Sequence, residues 1–335
     1  MNSQILVNVK RNGFIESVHR GHLIVVDGNG STIASLGNTE TVTFIRSAAK
    51  PFQLFPFLFS GGAEKFGFDE AEVALACGSH SGEIFHTETA AKMLNKIGLG
   101  ESDLRCGSHL PFNETASHSL IREEKQPTQL HNNCSGKHAA MLAYCKLKNV
   151  EINNYESFEH PLQIEILETI KRFCEIGDVK LGVDGCAAPN FALPVSAMAK
   201  GFVKLVFPPK SFNEIEQKAC QTIVSAMSNF PEMVGGTERI DTLIMQELKG
   251  KIICKVGAEG IWLAAILPCE KYPNGLGIAL KIEDGEDYRS RVVVSIELLR
   301  QLGILQTNNL NRLSPLVLNN RRGDEVGEVV ADFKI

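Results

Sequence analysis

The chain opens on a period of two. Leu6-Val7-Asn8-Val9 and Phe14-Ile15-Glu16-Ser17-Val18 alternate apolar and polar side chains on either side of Asn12-Gly13, which predicts two strands joined by a tight hairpin. Residues 22–26 and 31–36 flank Asp27-Gly28-Asn29-Gly30 and predict a second hairpin, and Thr41-Val42-Thr43-Phe44 a short strand. The period then changes. A helix is predicted after Ser47, with Pro51 in its first turn, where a missing N–H costs little. Pro56 is expected to kink or end it and Gly61-Gly62 to stop it. Residues 69–76, 86–96, 139–147 and 160–175 carry helical spacing, residues 179–183 read as a strand, and residues 211–250 supply two more helices. From residue 252 the pattern returns to β, with strands at 252–257, 260–266 and 276–282, a long helix over 290–302, and a tail at 327–333 suited to an edge strand.

The order of these elements predicts an α+β fold in a single domain over residues 1–335. An antiparallel sheet is built from both chain ends, about 5–45 and 252–333, around a mainly helical insert at about 47–250, with helices on both faces. No internal repeat, low-complexity tract or linker interrupts it.

Composition narrows the function classes. Of 335 residues 44% are hydrophobic and 22% charged, enough for a sizeable core. The net charge of −5 with dispersed Lys and Arg gives no nucleic-acid footprint. The first residues carry no charged, apolar leader and no later stretch approaches a membrane span, so a cytoplasmic enzyme is the expectation. Nine cysteines, an odd count, are then expected to be reduced thiols.

Four stretches carry chemistry. Ser47-Ala48-Ala49-Lys50 is an S-x-x-K motif, in which i and i+3 share a helix face and a neutral amine can take a hydroxyl proton. Its plain alternative is a serine N-cap with an exposed lysine one turn in. Cys77-Gly78-Ser79-His80-Ser81-Gly82-Glu83 places a second hydroxyl in a small-residue loop, and Lys255-Val256-Gly257 is a K-x-G strand. His131-Asn132-Asn133-Cys134-Ser135-Gly136-Lys137-His138 opens an apolar helix, as expected of a pocket lining. Asp184-Gly185-Cys186-Ala187-Ala188-Pro189 is a tight loop; with Cys134 and Lys137 it offers two thiols, an amine and a carboxylate, a set that suits zinc. The other cysteines read as core. Glu238, Arg239 and Asp241 suit the α-amino and α-carboxylate groups of an amino acid, although a helix-surface ion pair is the plainer reading. Arg46, beside Ser47, is the better organiser of a site.

The S-x-x-K helix followed by a K-x-G strand ahead of the last strands and terminal helix resembles the penicillin-recognising fold of serine β-lactamases, with Val256 where a hydroxyl residue is usual. Arg46-Ser47-Ala48-Ala49-Lys50-Pro51, Asn133–His138 and Val183–Pro189 resemble the rhizobial-type L-asparaginases, the third structural class, and the resemblance runs from about residue 5 to 333. It implies hydrolysis of L-asparagine to L-aspartate and ammonia. It makes Ser47 the nucleophile beside Lys50, and Ser79 with Lys255 a second serine–lysine pair. It gives Cys134, Lys137 and Cys186 to an auxiliary zinc ion. Arg46, Asp184 and His138, which lie in these same stretches, are read as substrate-binding, although His138 could equally be a polar residue at a helix start. It also implies a homodimer, which light scattering would reject on finding a monomer mass at micromolar concentration. Another serine amidohydrolase of this fold (a glutaminase, esterase or D-amino-peptidase) and a non-hydrolytic metal-binding sensor remain as alternatives.

Overall fold

The computed structural model describes residues 3–335. Eleven strands and twelve α-helices follow in order: β1 (Gln4–Arg11), β2 (Phe14–Asp27), β3 (Thr32–Leu36), β4 (Val42–Phe44), α1 (Lys50–Phe59), α2 (Gly62–Phe66), α3 (Glu70–Ala76), α4 (Ile84–Lys96), α5 (Glu114–Arg122), α6 (Ser135–Lys148) and α7 (Pro161–Cys174). Then come β5 (Lys180–Val183), β6 (Pro189–Pro194), α8 (Val195–Val206), α9 (Glu214–Asn229), α10 (Pro231–Val234), α11 (Ile240–Glu247), β7 (Ile252–Gly257), β8 (Ile261–Ile266), β9 (Leu276–Ile282), α12 (Ser290–Gln301), β10 (Leu316–Asn319) and β11 (Glu325–Ala331).

The main sheet is antiparallel and runs β10-β11-β1-β2-β9-β8-β7, with β3 added to β2. Both chain ends build it, as the alternation at residues 5–36 and 252–333 predicts. Asn12 and Gly13 take positive φ of 46° and 78°, the backbone demanded by a two-residue hairpin loop. In the second hairpin Asp27 Oδ1 accepts the N–H groups of Asn29 and Ser31 at 3.0 and 2.8 Å. β7 and β8 are buried throughout: α8 and α12 pack on β8, and α9, α11 and the Arg46–Ala49 turn on β7. A strand buried on both faces loses its polar–apolar alternation, which explains the continuous run Ile261-Trp262-Leu263-Ala264-Ala265-Ile266.

Four sequence expectations change. β4 does not join the main sheet: it pairs with β6, and β6 with β5, in a separate three-stranded sheet. β6 and α8 (Val195–Val206) carry almost no polar alternation and escape a period-based reading. β11 is internal, between β10 and β1, so the edge strand at that end of the sheet is β10. Pro56 does not end α1, which continues to Phe59. Phe52 and Phe55 of that helix are buried against Phe173, and Phe52 also meets Phe202; this packing outweighs the single backbone bond that proline removes.

Helices α3 and α6 meet where a glycine allows it. A Cβ on Gly136 would lie 2.6 Å from Leu75 Cγ and 2.7 Å from the Leu75 carbonyl oxygen. Gly136→Ala is therefore expected to destabilise the protein by about 1–3 kcal/mol through overpacking, despite alanine's better helix propensity. A lowered thermal midpoint checks this, and an unchanged or raised one contradicts it.

Candidate active site

Ser47 lies in a 3₁₀ turn, Arg46–Ala49, that leads directly into α1. Two strands hold that turn. Ile45 N–H donates to the Phe191 carbonyl at 2.9 Å and Arg46 N–H to Asn190 Oδ1 at 3.1 Å, both on β6. Gly257, the end of β7, is so close that a Cβ there would stand 2.7 Å from the Ile45 carbonyl oxygen. The K-x-G strand thus runs beside the S-x-x-K turn. Arg46 adopts φ of 54°, a conformation that costs a non-glycine residue free energy and that these surrounding bonds enforce.

The Arg46 guanidinium is engaged by Asp184. Nε and Nη2 both reach Oδ1, at 3.0 and 2.9 Å, and Glu259 is 3.9 Å away. Two residues expected to bind substrate therefore bind each other, and the pair ties the nucleophile turn to the Asp184–Ala188 loop.

Lys50 is buried, as is Ser79. Its Nζ is bonded to the Gly78 carbonyl, to Ser79 Oγ at 2.9 Å and to the Asn133 carbonyl at 2.9 Å. The hydrogen-bonded serine–lysine pair is thus Lys50 with Ser79, not Lys50 with Ser47. Burial lowers the Lys50 pKa, and the charge of Lys137 adds to the shift. In all three contacts Nζ is the donor, to the two carbonyls and to the Ser79 hydroxyl oxygen.

Lys255 is fully buried on β7; its Nζ donates to the Val256 carbonyl at 2.9 Å. No hydrogen bond joins it to Ser79 among the described residues, so the second expected pair is not formed. Its partner is Asp241, at 3.8 Å, whose Oδ2 accepts Val256 N–H at 2.8 Å and whose Oδ1 is unpaired. Burial pulls the Lys255 pKa down to about 7, Asp241 opposes the shift, and Lys50 reinforces it. Asp241 is itself buried, so the surface ion pair expected of it is wrong: it stands behind a candidate base. Its sequence signal was faint, a lone carboxylate at the start of the apolar run Ile240–Met245.

Cys134, Lys137 and Cys186 converge, all buried. Lys137 Nζ donates to Cys186 Sγ at 3.0 Å. Cys134 Sγ donates to Asn133 Oδ1 at 3.5 Å. The neighbouring Cys186 and burial raise the Cys134 pKa, while Cys134 and Lys137 lower that of Cys186 against burial. His138 donates or accepts through Nδ1 with Tyr155 Oη at 2.7 Å, and its buried Nε2 lacks a partner. It is fully buried alongside Cys186. No group of three or more His, Cys, Asp or Glu side chains suited to a metal occurs among the described residues. The two thiols fit zinc in softness, with Lys137 as a third donor once its ammonium gives up a proton. Of six other cysteines read as core, Cys106, Cys145, Cys174, Cys220 and Cys254 are buried, whereas Cys269 is exposed and departs from that reading. Burial pushes the Cys145, Cys174 and Cys220 thiols up to about 12.

Asn133, Asn190 and Tyr155 were not singled out by sequence, because they act through a carbonyl or through contacts far along the chain. A cavity of about 770 Å³ between residues 247–251, 266–271 and 303–307 contains neither serine–lysine group, so chemistry rather than volume locates the site. No helix among the described residues is long and apolar enough to cross a membrane.

A family profile described as L-asparaginase II matches residues 7–331. Similar solved structures include a Bacillus subtilis glutaminase in covalent complex with 5-oxo-L-norleucine, 11% identical, covering 86% of this chain and 89% of that one at a TM-score of 0.42. A β-lactamase from Sphaerobacter thermophilus is also 11% identical, covering 86% and 92% at a TM-score of 0.45. No curated protein matches the chain in sequence.

Proposed function

Because the chain belongs to the L-asparaginase II family, and is a hydrolase acting on amides, we propose that it converts L-asparagine to L-aspartate and ammonia through a serine ester. The observation that carries the mechanism is the buried Lys50 amine, shared between two carbonyls and Ser79 Oγ, with Lys255 poised near neutrality behind it. Ser47 is the nucleophile. It is the more exposed of the two serines, and since Arg46 N–H and Ala48 N–H are already bonded to Asn190 Oδ1 and the Ile45 carbonyl, its own N–H is the one left to meet a developing oxyanion. Its Oγ attacks the side-chain amide carbon while a neutral lysine takes the hydroxyl proton, with Ser79, bonded to Lys50, as the candidate relay. The same proton goes to the departing nitrogen as the C–N bond breaks, which gives ammonia and an aspartyl ester. Water, deprotonated in the same way, opens the ester and restores the hydroxyl. The Ser79–Lys50 bond favours a second reading, in which Ser79 attacks directly.

Ammonia release from L-asparagine, L-glutamine and a simple ester tests the proposal. Asparagine is expected to exceed glutamine by about 10²-fold in kcat/KM, because one extra methylene displaces the carbonyl from a fixed nucleophile. Comparable values for the two amides would favour the broader glutaminase or esterase reading, and no hydrolysis at all a binding role.

Zinc is part of the proposal, held by Cys134, Cys186 and Lys137, with Asp184 at the edge of the loop. When bound it supplies positive charge that anchors substrate and favours neutral lysines nearby. Elemental analysis is expected to find about one zinc per chain. Cys134→Ser is expected to raise KM more than it lowers kcat. Absence of metal even after zinc reconstitution would make these cysteines ordinary core thiols. Loss of all kcat on zinc removal would replace the serine mechanism by a zinc hydroxide.

A further inference from the structure

Arg46 is neutralised by Asp184, which leaves the asparagine α-carboxylate to another cation. The segment from Met233 to Asp241 supplies one. It is held on the Ser79 side, where Ser79 N–H donates to the Val234 carbonyl at 2.8 Å and Thr237 N–H to Glu83 Oε2 at 2.9 Å. Gly236 is pressed there as well: a Cβ on it would meet Ser81 Oγ. The segment is held on the Lys255 side by Asp241, 3.8 Å from the Lys255 amine. Between these anchors stands Arg239, at the start of α11. It is half-buried, makes no ion pair within 4.0 Å among the described residues, and its neighbour Glu238 is 3.9 Å from Arg312 instead.

What the guanidinium does meet is a ring. Its centre lies 5.8 Å from the centroid of Phe112. Phe112 belongs to a strap over the same site. Asn113 N–H donates to the Ser81 carbonyl at 3.0 Å, and His109 Nε2 accepts the N–H of Asn133, the residue whose carbonyl takes the Lys50 amine. The His109 ring stacks on Phe112 at 4.7 Å. An aromatic face orients an arginine without neutralising it, so both edges of the fork remain for a carboxylate.

We infer that Arg239 binds the α-carboxylate of the amino-acid substrate, and that Phe112 is the positioning residue that aims it. The inference rests on the proposed asparagine hydrolysis and adds the group that makes the enzyme select an α-amino acid over a bare amide. The test compares L-asparagine with 3-aminopropanamide, which is asparagine lacking the carboxylate, in the wild-type enzyme, Arg239→Gln and Arg239→Lys. Wild type is expected to prefer asparagine by about 10²-fold or more in kcat/KM. Arg239→Gln is expected to raise KM for asparagine about 10²-fold, to leave kcat within a few-fold, and to bring the two substrates close to parity; Arg239→Lys should fall between. Matching thermal melts and an unchanged rate on 3-aminopropanamide separate this from a folding defect. An undiminished preference in Arg239→Gln overturns the inference while leaving asparagine hydrolysis in place. Absence of asparagine hydrolysis in the wild type overturns both.

Discussion

Replacing Ser47 by alanine is expected to abolish amide hydrolysis and to leave the fold intact. The side chain is only half-buried, and the nearest amine in sequence, Lys50, is directed to Gly78, Ser79 and Asn133 instead. Removing the hydroxyl therefore strands no buried partner, and the thermal midpoint should stay close to that of the parent. Ser79→Ala is different. It removes the one hydroxyl on the buried Lys50 amine, so it should slow turnover strongly and also cost stability of about 1–3 kcal/mol. Comparing the pair decides between the nucleophiles. Residual turnover in Ser79→Ala with none in Ser47→Ala supports Ser47; the reverse pattern hands the role to Ser79.

Lys255→Met should lower kcat by about 10²–10⁴-fold, the usual worth of a general base, with KM little changed. The pH profile carries the sharper information. A lysine is a base only when neutral, and the Lys255 pKa is pulled down to about 7. Activity should therefore fall as pH drops through about 7 and level off above it. Asp241 opposes that downward shift, so Asp241→Asn should move the acid limb to still lower pH. Lys255→Met should remove the limb along with most of the rate. A limb near pH 7 that survives in Lys255→Met assigns the titration to another group, and a limb that moves upward in Asp241→Asn contradicts the electrostatic account.

The sequence by itself determined much of the framework. Period-two alternation places the β1–β2 hairpin, and short apolar runs bounded by turn residues place the β7–β9 strands, because both patterns are local. The short motifs likewise picked out Ser47, Lys50, Ser79, Lys255 and the two cysteines, residues whose chemistry is uncommon enough to stand out in a line of text. The pairing among them was beyond the reach of that text. S-x-x-K spacing says that residues 47 and 50 can touch, but tertiary structure turns the Lys50 amine toward Ser79, because α3 and α6 close on each other at Gly136 and bring carbonyls 78 and 133 to it. Only the folded chain could show that Asp184 occupies Arg46, or that Asp241 is buried against Lys255. These contacts join residues up to 138 positions apart, and a carboxylate's partner across such a separation is chosen by the strands and helices that carry it. The same holds for protonation. An amine has its ordinary pKa in the unfolded chain, and only removal from water by the surrounding strands and helices brings Lys255 near neutrality.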